Sequence, residues 1–354
     1  MKIRSLLPLL LTAALLLSDC GAGSTGTSAP AETTAETSVE TTAESSVETG
    51  EAAPAETADD IEIRAAVLSG ATGYGAAKLM SDCENGLSSV NCTFTVESSP
   101  KTIQDSLIAG EIDIGALSTN KAAMLSNASP DTVQVCAVNT LGVMYLVTAD
   151  GSEISSFEDL RGLTVCIPLE PSYILEALCE ANGLTVGEDV IIETYATPSD
   201  LLASVIKGEI PVAVLPEPLL TTAMAKQDSI QIMLNLTEEW DKVFTDSKLM
   251  QGCLVVRTEF AEAHPEALQN FLNEYKASIE YVSASPDEAS AMVETYFGTA
   301  AAVAAKAIRN CSMTYIDGQE MKQLLTEFYG VLVDIESANI GGAVPAESFY
   351  YSAQ

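Results

Sequence analysis

The chain repeats itself once, and that repeat restricts the folds open to it. Residues 106–117 read SLIAGEIDIGAL, and residues 204–215, 98 positions later, read SVIKGEIPVAVL; six of the twelve aligned positions are identical. Each copy reads as a helix end, a Gly turn, a buried strand and a polar loop, Ser118–Asn120 in the first and Pro216–Pro218 in the second. A weaker echo upstream aligns Arg64 to Tyr74 with Leu163 to Tyr173, each a strand, a loop and a helix. Two copies of this length do not make a stacked array. They predict an α/β chain of two similar lobes with mainly parallel sheets, and a cleft between them.

The strands expected from apolar runs lie near 61–68, 91–97, 111–117, 133–138 and 143–148, then 163–168, 190–195, 212–215, 230–235 and 254–257. From 264 onward the chain reads as helical, near 264–284, 286–297, 300–309 and 318–335. Segments 143–148 and 253–257 bracket the second copy. They are the natural crossings, so a two-strand hinge is expected, with lobe 1 built from 61–144 and 254–354 and lobe 2 from 145–253.

The N-terminus reads as a signal peptide over 1–19. Lys2 and Arg4 precede an apolar run from Leu6 to Leu17, too short to span a bilayer comfortably. The run ends at Cys20 in a pattern resembling a bacterial lipobox, which makes Cys20 the expected lipidated first residue of the mature chain; Asp19 departs from that pattern. Residues 20–60 then read as an acidic tether: beyond Cys20 they hold nine carboxylates and no Lys, Arg or aromatic residue. Such a segment cannot bury enough apolar surface to offset its ordering entropy.

Sixteen Lys and Arg against 50 Asp and Glu give a formal charge of −34. A polyanion meets phosphate with like charge, so nucleic acid is not an expected partner. One His and no CxxC argue against a zinc site, and no cofactor or metal is expected. Cys136, Cys166 and Cys253 lie in apolar runs and read as core; Cys253 with Cys311 is the expected bridge.

An ordered set of stretches carries a family resemblance: LSGATGYGAAKLM at 68–80, GEIDIGAL at 110–117, FEDLRGLTV at 157–165, LPEP at 215–218, GCLVVR at 252–257 and HPEA at 264–267. Together they resemble the substrate-binding lipoproteins of bacterial ABC importers, in the nitrate/sulfonate/taurine and thiamine-precursor group. The resemblance covers about 61–350. It implies a type II periplasmic-binding-protein fold. It also implies a small-molecule solute, an ABC permease with its ATPase as partners, and a monomer anchored to the outer face of the cell membrane.

Ligands of open α/β sheets bind beyond the carboxyl ends of the strands. Five loops qualify, and they supply the candidate ligand-binding residues. These are Ser69, Thr72, Gly73 and Tyr74; Ser118, Thr119 and Asn120; Asn139 and Thr140; Glu170, Ser172 and Tyr173; and Glu217. Each has a plainer reading: Thr72 and Ser118–Asn120 as helix caps, the two Tyr as core, the two Glu as solvated rim. No Arg falls in these loops and Lys121 is the only nearby Lys, which favours a neutral or cationic nitrogen-containing solute over a sulfonate or nitrate. An enzyme is not expected. A thiamine-pyrimidine synthase of the same superfamily uses His and Cys/His-rich chemistry, and this chain has only His264. Transport and ligand sensing are not separable at this level.

Overall fold

A computed structural model describes residues 61–352. The signal-peptide, Cys20 and tether expectations therefore lie outside the described residues. The first stretch of the fold runs β1 (Ile63–Leu68), α1 (Ala71–Tyr74), α2 (Ala77–Glu84), β2 (Cys92–Glu97), α3 (Pro100–Ala109), β3 (Ile114–Ser118), α4 (Thr119–Ala128) and β4 (Val133–Thr140). The second runs β5 (Met144–Thr148), β6 (Thr164–Pro168), α5 (Ser172–Ala181), β7 (Ile191–Tyr195), α6 (Pro198–Ile206), β8 (Val212–Pro216), α7 (Leu219–Lys226), β9 (Gln231–Asn235) and α8 (Leu236–Val243). The third is β10 (Gly252–Arg257), α9 (Thr258–Ala263), α10 (Pro265–Ala284), α11 (Pro286–Phe297), α12 (Ala301–Ala307), β11 (Met313–Ile316) and α13 (Gly318–Glu336).

Two sheets result, with strand orders β11-β4-β10-β3-β1-β2 and β7-β6-β8-β5-β9. The repeat is visible in them. β3 lies between parallel β1 and antiparallel β10; β8 lies between parallel β6 and antiparallel β5. Helices α3 and α6 start alike, with Ser99 or Thr197 as a side-chain cap and Pro at the first turn, where a missing N–H costs nothing. Gly110 and Gly208 follow them at φ of 71° and 73°, a conformation that favours glycine.

β10 is antiparallel to both β3 and β4, so β1–β4 share one direction; β5 is antiparallel to both β8 and β9, so β6–β9 share one as well. The sheets are thus mainly parallel arrays, each with one internal crossing strand inserted against the grain. The reason lies in the crossings. β5 starts with Met144 beside Pro216, and β10 starts with Gly252 beside Ser118 and Thr140. Both strands enter at the carboxyl ends of their neighbours and must run back. Sequence patterning missed β11, a four-residue edge strand antiparallel to β4.

Along β1 the faces alternate as a strand demands. Ile63, Ala65 and Val67 pack with Leu79 of α2 and Leu268, Phe271 and Ile279 of α10. Ala66 faces the opposite cluster with Ile103 and Leu107 of α3. In the second sheet Leu215 packs with Leu201 and Leu220 of α6 and α7. A continuous apolar seam joins the two sheets through α13: Phe328 lies 5.5 Å, ring to ring, from Trp240 of α8.

The disulfide is not the expected one. Cys253 and Cys311 are both free and buried among apolar side chains, as are Cys136, Cys166 and Cys179. The bridge joins Cys83 to Cys92, where the end of α2 meets the start of β2 and the Cα atoms stand 6.1 Å apart. That separation suits a disulfide.

At the amino ends of the first sheet, Asp113 is buried and accepts from the Arg64 backbone N–H at 3.0 Å and from its guanidinium at 3.0 and 2.7 Å. Arg257, at the far end of β10, lies 3.6 Å from the same carboxylate. The cluster ties β1, β3 and β10 together at the end opposite the crossings.

Candidate functional site

The carboxyl ends of the parallel strands of both sheets open into one cavity of about 540 Å³. The first sheet contributes Ser69 and Thr72 after β1, Ser98 and Pro100 after β2, and Ser118 and Asn120 at the start of α4. The second contributes Glu170 and Tyr173 after β6, Pro198 and Ser199 after β7, and Glu217 after β8. Val143, Met144 and Gln251 come from the crossings, and Phe297 and Thr299 from the α11–α12 turn. The volume suits a small organic molecule.

Glu217 is 3% exposed. Its Oε1 accepts from Thr221 Oγ1 at 2.9 Å and Asn310 Nδ2 at 2.8 Å, and its Oε2 from the Thr221 backbone N–H at 3.1 Å. Burial raises its pKa above the ordinary carboxylate value; the bonds from Asn310 and Thr221 partly oppose that shift. Asn310 is itself held, its carbonyl accepting from Tyr145 Oη at 2.9 Å. Glu170 is 2.6 Å from Lys121 of α4, an ion pair that links the loop after β6 to the first sheet's side of the cavity. Among the described lining residues Glu170 and Glu217 are the only charged side chains.

Asn120 is 4% exposed, lines the cavity, and makes no side-chain hydrogen bond among the described residues. The Gln251 Oε1 accepts from the Val143 N–H at 2.7 Å, leaving its amide N–H groups over.

Of the residues expected from sequence, seven line the cavity: Ser69, Thr72, Ser118, Asn120, Glu170, Tyr173 and Glu217. The other six stand behind the wall. Asn139 Nδ2 donates to the Thr72 carbonyl and to Tyr275 Oη, both at 3.1 Å, and Thr140 Oγ1 donates to Asn139 Oδ1 at 3.1 Å. Thr119 Oγ1 donates to the Met250 carbonyl at 2.5 Å, bracing the α4 start against the crossing. Tyr74 is buried, its hydroxyl 2.7 Å from Thr299 Oγ1 and its ring edge-on to Phe297 at 5.2 Å. Gly73 gives room: a Cβ there would lie 2.1 Å from the Leu68 carbonyl. Ser172 opens α5, its backbone N–H donating to the Leu169 carbonyl at 3.2 Å. Helix α1 has only four residues, a single turn, so little helix dipole is directed at the cavity from the end of β1.

Sequence reasoning passed over the loops after β2 and β7. The strand-end rule covers them equally, and both carry a Ser beside a Pro at a helix start. Gln251, Phe297 and Thr299 had no such signal.

Residues 88–289 match the protein family described as NMT1/THI5 like. The chain belongs to that family. This family member also shares its fold with solved structures. A structure of an ABC transporter from Parabacteroides distasonis superposes at a TM-score of 0.68 with 21% identity, covering 82% of this chain and 99% of that one. The periplasmic aliphatic sulphonate binding protein SsuA from Escherichia coli superposes at 0.68 with 16% identity, covering 83% and 92%. The periplasmic nitrate-binding protein NrtA from Synechocystis PCC 6803 gives 0.53 with 12% identity, covering 73% and 74%. Comparison with curated protein sequences finds no match.

Proposed function

We propose that this NMT1/THI5-like protein is an extracytoplasmic receptor that captures a small nitrogen-containing solute and delivers it to an ABC permease. The observation that carries the reading is a single cavity walled by strand-end loops of both sheets, at the crossings that join them. Such a site engages both halves of the molecule at once, so ligand affinity favours one closed arrangement over open ones. Ser69, Thr72, Asn120, Glu170, Tyr173 and Glu217 are the proposed contacts, with Gly73, Tyr74, Ser118, Thr119, Asn139, Thr140 and Ser172 shaping the wall. The fold shared with transport binding proteins supports this reading. The only His, His264, packs on Phe260 at the α9–α10 junction and does not line the cavity, which favours a receptor over a His-dependent enzyme. The Cys83–Cys92 bridge suits an oxidising compartment, and lipidated Cys20 is the proposed membrane anchor.

A thermal-shift screen over pyrimidines, amines, sulfonates and nitrate tests capture, because a ligand of the native state raises the midpoint by mass action. With a hit in hand, Asn120→Ala is expected to weaken binding about ten-fold in calorimetric titration. Absence of any shift across the screen, with the fold intact, counts against the receptor reading.

A further inference from the structure

The charge of the cavity says more about its solute than its size does. Glu217 lies in the cavity wall almost wholly withdrawn from water, and among the described residues no Lys or Arg pairs with it. All three groups that donate to it are neutral: Thr221 Oγ1, the Thr221 backbone N–H and Asn310 Nδ2. A carboxylate offers about four lone-pair sites, so one on Oε2 is left. Lys121, a cation beside the cavity, is taken by Glu170 at the cavity's more exposed side. Asn120, buried in the opposite wall and with no side-chain hydrogen bond among the described residues, adds a second polar group facing the cavity.

Resting on the receptor reading above, we propose that the solute carries a formal positive charge on nitrogen, as a protonated amine or an amidinium, with Glu217 as its counter-ion. A buried carboxylate without a cation is costly, and a bound cation removes that cost. An anion in the same place meets like charge. The other titratable groups near Glu217 are Tyr74, Tyr145 and Cys311, each neutral because burial raises its pKa, and Glu170, paired with Lys121. Burial raises the Glu217 pKa, so acidification tends to neutralise it.

The test uses the whole mature chain and matched triads of probes differing mainly in charge: benzamidine, benzamide and benzoate; choline, 3,3-dimethylbutanol and 3,3-dimethylbutyrate. Ethanesulfonate and nitrate complete the panel. The expected result is that the cation of at least one triad binds at least about ten-fold tighter than its neutral partner. That preference should collapse in Glu217→Gln, and in the wild type as the pH is lowered toward the ordinary carboxylate value, because burial raises the Glu217 pKa above it. The pH arm stands even if the variant folds poorly. Binding of an anion or a neutral member in preference to the cation overturns the charge assignment and leaves the receptor reading standing. A cation preference that survives both Glu217→Gln and acidification also overturns it. No binding by any member overturns both.

Discussion

Glu217 couples the cavity to stability. Its folded-state pKa is raised, so the folded protein binds the proton more tightly than the unfolded chain does. The sign follows: the carboxyl destabilises the unliganded fold above its raised value, and that penalty is relieved as pH falls toward the ordinary carboxylate value. Wild type is expected to gain stability relative to Glu217→Gln on going from neutral to mildly acid pH. Urea unfolding of both proteins across that window checks it, and parallel pH profiles would count against a buried ionised Glu217. Gly252 acts by shape. A Cβ there would stand 2.5 Å from Asn139 Oδ1, 2.9 Å from Thr72 Cγ2 and 3.0 Å from Thr140 Cβ, the groups that brace the wall after β1. Gly252→Ala is expected to cost about 1–3 kcal/mol by overpacking and to weaken ligand binding; urea melts and calorimetry read the two effects separately.

At the scale of elements, the first sheet has a chemical end and a structural end. The carboxyl ends carry the cavity, and the amino ends carry the Arg64–Asp113–Arg257 cluster and the Cys83–Cys92 bridge. Losing the bridge, which closes a short loop, is expected to cost about 2–3 kcal/mol on the loop-entropy account. Ligand affinity in Cys83→Ser/Cys92→Ser should stay within about two-fold, since Cys92 opens β2 at the end away from the cavity. Asp113→Asn should likewise cost about 1–3 kcal/mol, by leaving the Arg64 guanidinium without its carboxylate. A large affinity loss in either variant would show that the two ends are energetically coupled. The periodic elements of this layer were legible in sequence. Ten of the eleven described strands were legible as apolar or alternating runs. β11 was not legible, because its four residues are all half-buried and have no apolar contrast to display.

At the scale of the whole molecule, the crossings and the apolar seam connect the two sheets. The chain passes between the sheets at 141–143 and again before Gly252, while α13 packs against the second half through Trp240 and Phe328. We propose that the two halves move about a hinge at these crossings, with the cavity between them closing on ligand. Small-angle scattering with and without a ligand from the screen is expected to show a smaller radius of gyration on saturation. An unchanged radius would count against closure. Cys20→Ala is expected to move the protein from the membrane fraction to the soluble one; a protein soluble with Cys20 intact would remove the anchor.

The internal repeat by itself determined two matching α/β units, the order of their elements and the strand ends where polar loops gather, because those depend on short-range periodicity and turn chemistry. Seven of the wall residues were legible for the same reason: they sit at or just beyond a strand's carboxyl end. Only the tertiary structure decided which polar groups face the cavity and which brace it. Thr119 and Asn120 are neighbours in sequence, yet one side chain bonds the crossing and the other meets the void. Phe297, Thr299 and Asn310 reach the site from a helical region roughly 80 residues or more beyond Glu217 in the chain. The bridge depended on tertiary structure too. Disulfide pairing follows where Cα atoms meet in space, and no local pattern in the chain encodes that distance.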